Sequence, residues 1–131
     1  MKNISLVLLL TLMGGCSTFN SQKGDEFNLK QQESTTLPGS DIQLRFERVV
    51  SDSRCMPGMQ CFWEGVAEVE LSLWSNRQSQ RVSLFSTDTG TTFHKSVVVQ
   101  GYRISFQKLM PEFEANTTPI ALLTLRVELV E

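Results

Sequence analysis

Few side chains in this 131-residue sequence have chemistry that reaches beyond packing and solvation. They are three cysteines (Cys16, Cys55 and Cys61), a single histidine (His94), and a Met-x-x-Met pair, Met56 and Met59, lying between the last two cysteines. A histidine beside a nucleophile makes a hydrolytic site, but His94 sits in "TTFHKS" with no G-x-S-x-G serine and no catalytic cysteine near it in the chain. A small hydrolase would have to rest on His94 and one neighbouring carboxylate as its acid–base pair. Zinc asks for three or four His, Cys, Asp or Glu ligands at matched spacing, and no such spacing occurs. The thioethers of Met56 and Met59 suit Cu(I), though neither a methionine run nor a histidine accompanies them. Dithiol catalysis uses C-x-x-C at a helix start, whereas Cys55 and Cys61 enclose the five residues "MPGMQ". The inventory implies no cofactor and no metal site, and a chain that is not an enzyme.

Composition removes other classes. Hydrophobic residues make up 40% and charged residues 20%, which suits a folded chain rather than a disordered one. A formal charge of −2 without any Lys/Arg run argues against nucleic acid as a partner. The chain opens "MKNISLVLLLTLMGGC", with Lys2 ahead of an apolar run from Ile4 to Met13 that is too short for a bilayer span of roughly 20 residues. The "LMGGC" that follows resembles the bacterial lipobox, in which small residues precede a cysteine that takes a diacylglyceryl group and becomes the mature N-terminus. The resemblance implies a lipoprotein signal peptide over residues 1–15 and lipid attachment at Cys16. It also implies a partner in the membrane itself and a location in the bacterial cell envelope. Ser17 in place of aspartate implies the outer membrane in a Gram-negative host. Two or more acyl chains hold a protein to a bilayer, so the domain would be anchored without crossing. With Cys16 assigned to lipid, Cys55 and Cys61 have the parity of one disulfide, in a compartment oxidising enough to keep it.

The elements that must position this pair read as strands. After Cys16 comes "STFNSQKGDE", polar and aperiodic, a flexible tether over residues 16–25. Period-2 alternation then takes over through the domain at 26–131. "FNL" and "STTL" are short strands ahead of a Pro38-Gly39 turn. "DIQLRFERVV" places Ile42, Leu44 and Phe46 on one face, and "VAEVELSLW" does the same with Ala67, Val69, Leu71 and Leu73. "RVSLF", "KSVVVQ" and "YRISFQKL" follow, with a turn around Gly90; "MPEFEANTTP" reads as irregular. "IALLTLRVELVE" aligns Ala121, Leu123, Leu125, Val127 and Leu129. No helical stripe occurs. The expectation is an all-β fold, a small antiparallel β-sandwich or barrel-like sandwich of about seven to eight strands.

Between two of these strands lies "DSRCMPGMQCFWEG". It is similar to a motif of uncharacterised bacterial lipoproteins and secreted domains, approximately D-S-R-C-P-x4-C-x-W-x-G. Asp52, Ser53, Arg54, Cys55, Cys61, Trp63 and Gly65 match, while the proline is displaced by one place to Pro57. The resemblance spans roughly residues 27–131 and implies a small β domain with a Cys55–Cys61 bridge, and no activity. Read from the residues alone, Asp52 and Ser53 suit acceptance of backbone N–H groups, and Arg54 offers a planar fork for carbonyls, Asp52 or Glu64. Trp63 reads as an apolar lid and Gly65 as a bulge or close backbone approach. Two roles remain open for the loop. It is an architectural clasp, or it is a recognition tip exposing Met56, Met59 and Phe62. The functional expectation is a lipid-anchored, non-enzymatic envelope domain that binds or assists a protein there. Alternatives are an inhibitor-like protein presenting the loop to an enzyme, a copper carrier and a small hydrolase.

Overall fold

The computed structural model describes residues 24–55, 59–112 and 120–131. The leader at 1–15, Cys16, residues 17–23 of the tether, and Met56 with Pro57 and Gly58 lie outside the described residues.

Among the described residues eight strands follow in chain order: β1 (Asp25–Lys30), β2 (Ser34–Thr36), β3 (Gln43–Asp52), β4 (Ala67–Trp74), β5 (Ser79–Phe85), β6 (Ser96–Val99), β7 (Tyr102–Glu112) and β8 (Ile120–Leu129). They form two four-stranded antiparallel sheets, ordered β1-β8-β7-β6 and β2-β3-β4-β5, so the all-β sandwich expected from the alternation is the fold. One sheet is a meander of β2 to β5; the other is a meander of β6 to β8 closed by the first strand. Short corner segments stitch the two layers together. On one side, Gln31 N–H donates to Ala121 O of β8 and Gln32 N–H to Phe46 O of β3. On the other, Phe85 N–H of β5 and Phe106 N–H of β7 donate to His94 O and Lys95 O.

The inward residues of both sheets make one core. Leu44, Phe46, Val69, Leu71, Leu73, Leu84, Ile104, Phe106, Leu123 and Leu125 are almost completely buried there. The facing alternates along the whole of β4, where Ser72 on the outer side is nonetheless covered and donates to the Glu47 carboxylate, but β3 and β7 interrupt the alternation. Register shifts between Phe46 and Arg48 and between Phe106 and Lys108 are β-bulges. Each changes the parity of the strand, turning Val49 and Leu109, rather than Arg48 and Lys108, toward the core. Leu129, expected inward, is 53% exposed because β8 runs out at the end of the sandwich.

The segment read as irregular after Leu109 is partly strand, since β7 continues to Glu112 with Pro111 opposite Ala121. Strand β6 reaches only as far as Ser105 on its side of β7. Past that point β7 has no second strand neighbour among the described residues, and such an edge tolerates a proline.

The strand directions fix two ends. Gln43 of β3, Tyr102 of β7 and Asp25 of β1 lie at one end, where Tyr102 OH donates to Pro38 O at 2.7 Å. Asp52, Ala67 and Leu109 lie at the other. Ten residues of β3, at about 3.3 Å each, separate these ends by roughly 30 Å.

Candidate functional site

Two adjacent strands of one sheet, β3 and β4, end in the cysteine loop, and its foot is their ladder carried one step further. Ser53 N–H donates to Val66 O at 3.0 Å; the Ser53 hydroxyl contacts the same carbonyl at 3.1 Å and accepts from Val66 N–H at 3.0 Å. The next residue, Gly65, passes so close to the opposite chain that a Cβ there would stand 1.8 Å from Ser53 O and 2.6 Å from Arg54 N. Only hydrogen fits there.

Asp52 and Arg54 form the second fastening. Arg54 Nε and Nη2 donate to the two carboxylate oxygens of Asp52 at 2.8 and 2.7 Å, and Arg54 N–H donates to Asp52 Oδ1 at 3.1 Å. The remaining arm of the guanidinium, Nη1, donates to Leu109 O at 3.0 Å. Leu109 belongs to the opposite sheet, so Arg54 ties the loop across both layers. The Arg54 hydrogen bonds hold the Asp52 carboxyl below its ordinary value of 3.8, and Asp52 in turn raises the guanidinium. Both side chains are about a third exposed, so the fastening is a charge-assisted chelate at the surface rather than a buried ion pair.

The third fastening is covalent. Cys55 and Cys61 are joined at an S–S distance of 2.03 Å with their Cα atoms 5.9 Å apart. The bridge expected from cysteine parity is present.

Beyond the bridge the loop turns outward. Phe62 is fully exposed (101%), and Met59 and Trp63 are each 64% exposed. Trp63, read as an apolar lid, thus keeps most of its surface in solvent. An open groove of about 670 Å³ runs along this tip, lined by Cys55, Met59, Gln60, Cys61, Phe62, Trp63 and Glu64. A smaller one of about 360 Å³ lies at the opposite end of the sandwich, bordered by Gly24, Pro38, Gly39, Tyr102 and Leu129. His94 is exposed, on the connection between β5 and β6, and its carbonyl rather than its imidazole makes the structural contact with Phe85. Among the described residues no group of three or more His, Cys, Asp or Glu converges as metal ligands would.

Of the residues singled out by sequence, the structure thus brings Asp52, Arg54, Cys55, Cys61, Met59, Phe62, Trp63 and Gly65 into one loop. Sequence reading missed the Leu109 carbonyl, which is 55 residues from Arg54 and carries no side-chain signal. It also passed over Glu64 as a groove residue. No family model, no curated protein and no solved structure matches this chain.

Proposed function

We propose that this chain is a lipid-anchored, non-enzymatic domain of the bacterial envelope that holds the Cys55–Cys61 loop out as a binding tip for a partner protein. The observation that carries the reading is a contradiction in the loop's energetics. The loop is closed by a disulfide and fastened by Arg54 to both sheets, yet it keeps a phenylalanine, a methionine and a tryptophan in water. A clasp that served only stability would turn those side chains inward, where each large one gains about 1.5–3 kcal/mol. Rigid aromatic groups held ready in solvent are what interface anchors require, because ordering is already done before contact.

The position of the first described residues supports the reading. Gly24 and Asp25 lie at the end of the sandwich opposite the loop. The eight steps from Cys16 to Gly24 reach at most about 28 Å when extended. Adding the length of the sandwich, the tip would face away from the bilayer at a distance of up to roughly 60 Å. A narrower version of the same reading is an inhibitor-like domain, favoured by the pre-organised loop.

Two measurements in a bacterial host test the proposal. Labelled palmitate should enter the wild-type protein and not Cys16→Ser. A photo-crosslinking residue at position 62 should capture a discrete partner that the same group at Ser83, on the outer face of β5, does not. Absence of acylation would remove the anchor, and equal labelling from both positions would remove the tip.

A further inference from the structure

The chemistry of the tip narrows what it accepts. Among the groove's lining residues Glu64 is the one with a charge, and it makes no hydrogen bond or ion pair with any described residue. The neighbouring Asp52 does not share that state, because both of its oxygens are satisfied by Arg54. The groove therefore combines two exposed aromatic rings, a thioether and one unmatched carboxylate on consecutive or near-consecutive residues of a braced loop. Aromatic faces attract cations through their quadrupole, with arginine the commonest protein cation so placed, and a carboxylate adds a planar match for a guanidinium. The volume, about 670 Å³, lies in the range of small-ligand clefts, roughly 300–1,000 Å³.

Resting on the reading of the loop as a binding tip, the geometry points to a protein partner that inserts a basic side chain, arginine before lysine, flanked by apolar residues. The basic group would lie against Phe62 and Trp63 with Glu64 as its counter-charge, and its apolar neighbours would cover Met59 and the disulfide. A lipid surface would also welcome a tip of Met, Phe and Trp. The unmatched negative charge of Glu64 disfavours it, since bacterial and other anionic leaflets repel a carboxylate approaching at their surface.

The test uses the intrinsic fluorescence of Trp63, isolated by Trp74→Phe because the chain has two tryptophans. The probe is acetyl-Leu-Arg-Leu-amide, compared with the same peptide carrying neutral citrulline and with vesicles of phosphatidylcholine or phosphatidylglycerol. The expected result is a saturable shift of Trp63 emission with the arginine peptide, weaker by roughly tenfold with citrulline and weakened by salt. Glu64→Gln should lower the affinity by about fivefold and Phe62→Ser should abolish the response, while both variants keep the wild-type melting temperature. An equal response to citrulline overturns the proposal, as does a shift seen only with vesicles or no saturable response to any peptide. If the peptides fail while crosslinking from position 62 still captures a discrete protein, the basic-partner inference falls and the binding-tip reading stands; if both fail, both fall.

Discussion

Alanine at position 65 adds one methyl group where the loop's two strands pass closest. The new Cβ would begin 1.8 Å from Ser53 O and 2.2 Å from Ser53 C, so reaching even 3.0 Å requires the two backbones to part by about 1.2 Å. Val66 is the next residue, and its three contacts with Ser53, all between 3.0 and 3.1 Å, cannot survive that displacement. At about 1 kcal/mol net for each bond, the loss is about 3 kcal/mol. Stiffening of the unfolded chain by alanine offsets up to about 1 kcal/mol. The net cost is about 2–3 kcal/mol, a melting temperature lower by about 10–20 °C for a domain of this size. Gly90→Ala is the comparison. Its φ of +75° is strained for alanine, but no atom lies within 4 Å, so it should cost only about 1–2 kcal/mol. Thermal and urea unfolding of the two variants beside wild type measures both. Gly65→Ala proving no more harmful than Gly90→Ala would refute the close-approach reasoning and the loop-foot geometry with it.

Other expectations concern the remaining fastenings and the core. Replacing Cys55 and Cys61 by serine should cost about 2 kcal/mol by urea unfolding, the loop-closure term for a ring of six-residue separation. Arg54→Lys keeps the charge but loses the fork that spans Asp52 and Leu109 O, so hydrogen exchange at residues 52–66 should quicken more than in β4. The Asp52 carboxyl is held low in the folded state. Its contribution is therefore complete above the unfolded value near pH 4 and fades as pH falls through the lower folded value. A pH titration of stability should show a matching acid loss that Asp52→Asn removes. Phe62→Ser, at a fully exposed position, should change stability by less than about 0.5 kcal/mol, whereas Leu125→Ala in the core should cost about 2–5 kcal/mol by the same assay.

Much of this architecture was legible in the alternation of apolar residues, because a residue such as Leu71 must face the core when its neighbours Glu70 and Ser72 face outward. Alternation fails at a bulge. The extra residue at Glu47 or Gln107 has no polarity that distinguishes it from its neighbours, so Val49 and Leu109 change sides without any sequence mark. The disulfide and Gly65 were readable since cysteine parity and glycine have few other uses. The exposure of Trp63 was not, because a large aromatic carries the same hydrophobicity whether it is covered or stands in solvent. Strand pairing was also hidden. Nothing in "DEFNLK" says that it joins a strand nearly a hundred residues away, and Arg54 reaches the carbonyl of Leu109, whose position is set by the pairing of β7 with β8.

That pairing of the first strand with the last sets an order of events during synthesis. Asn28 waits for Thr124, 96 residues later, which at about 5–20 residues per second is an interval of roughly 5–20 s. Sheet β2-β3-β4-β5 contains only consecutive neighbours and can assemble while translation continues. Sheet β1-β8-β7-β6 stays incomplete until β8 arrives, and a nascent chain stopped at Glu112 lacks the strand that pairs with both β1 and β7. One layer of the sandwich can therefore be in place before the last strand leaves the ribosome, and the other layer must close onto it afterwards.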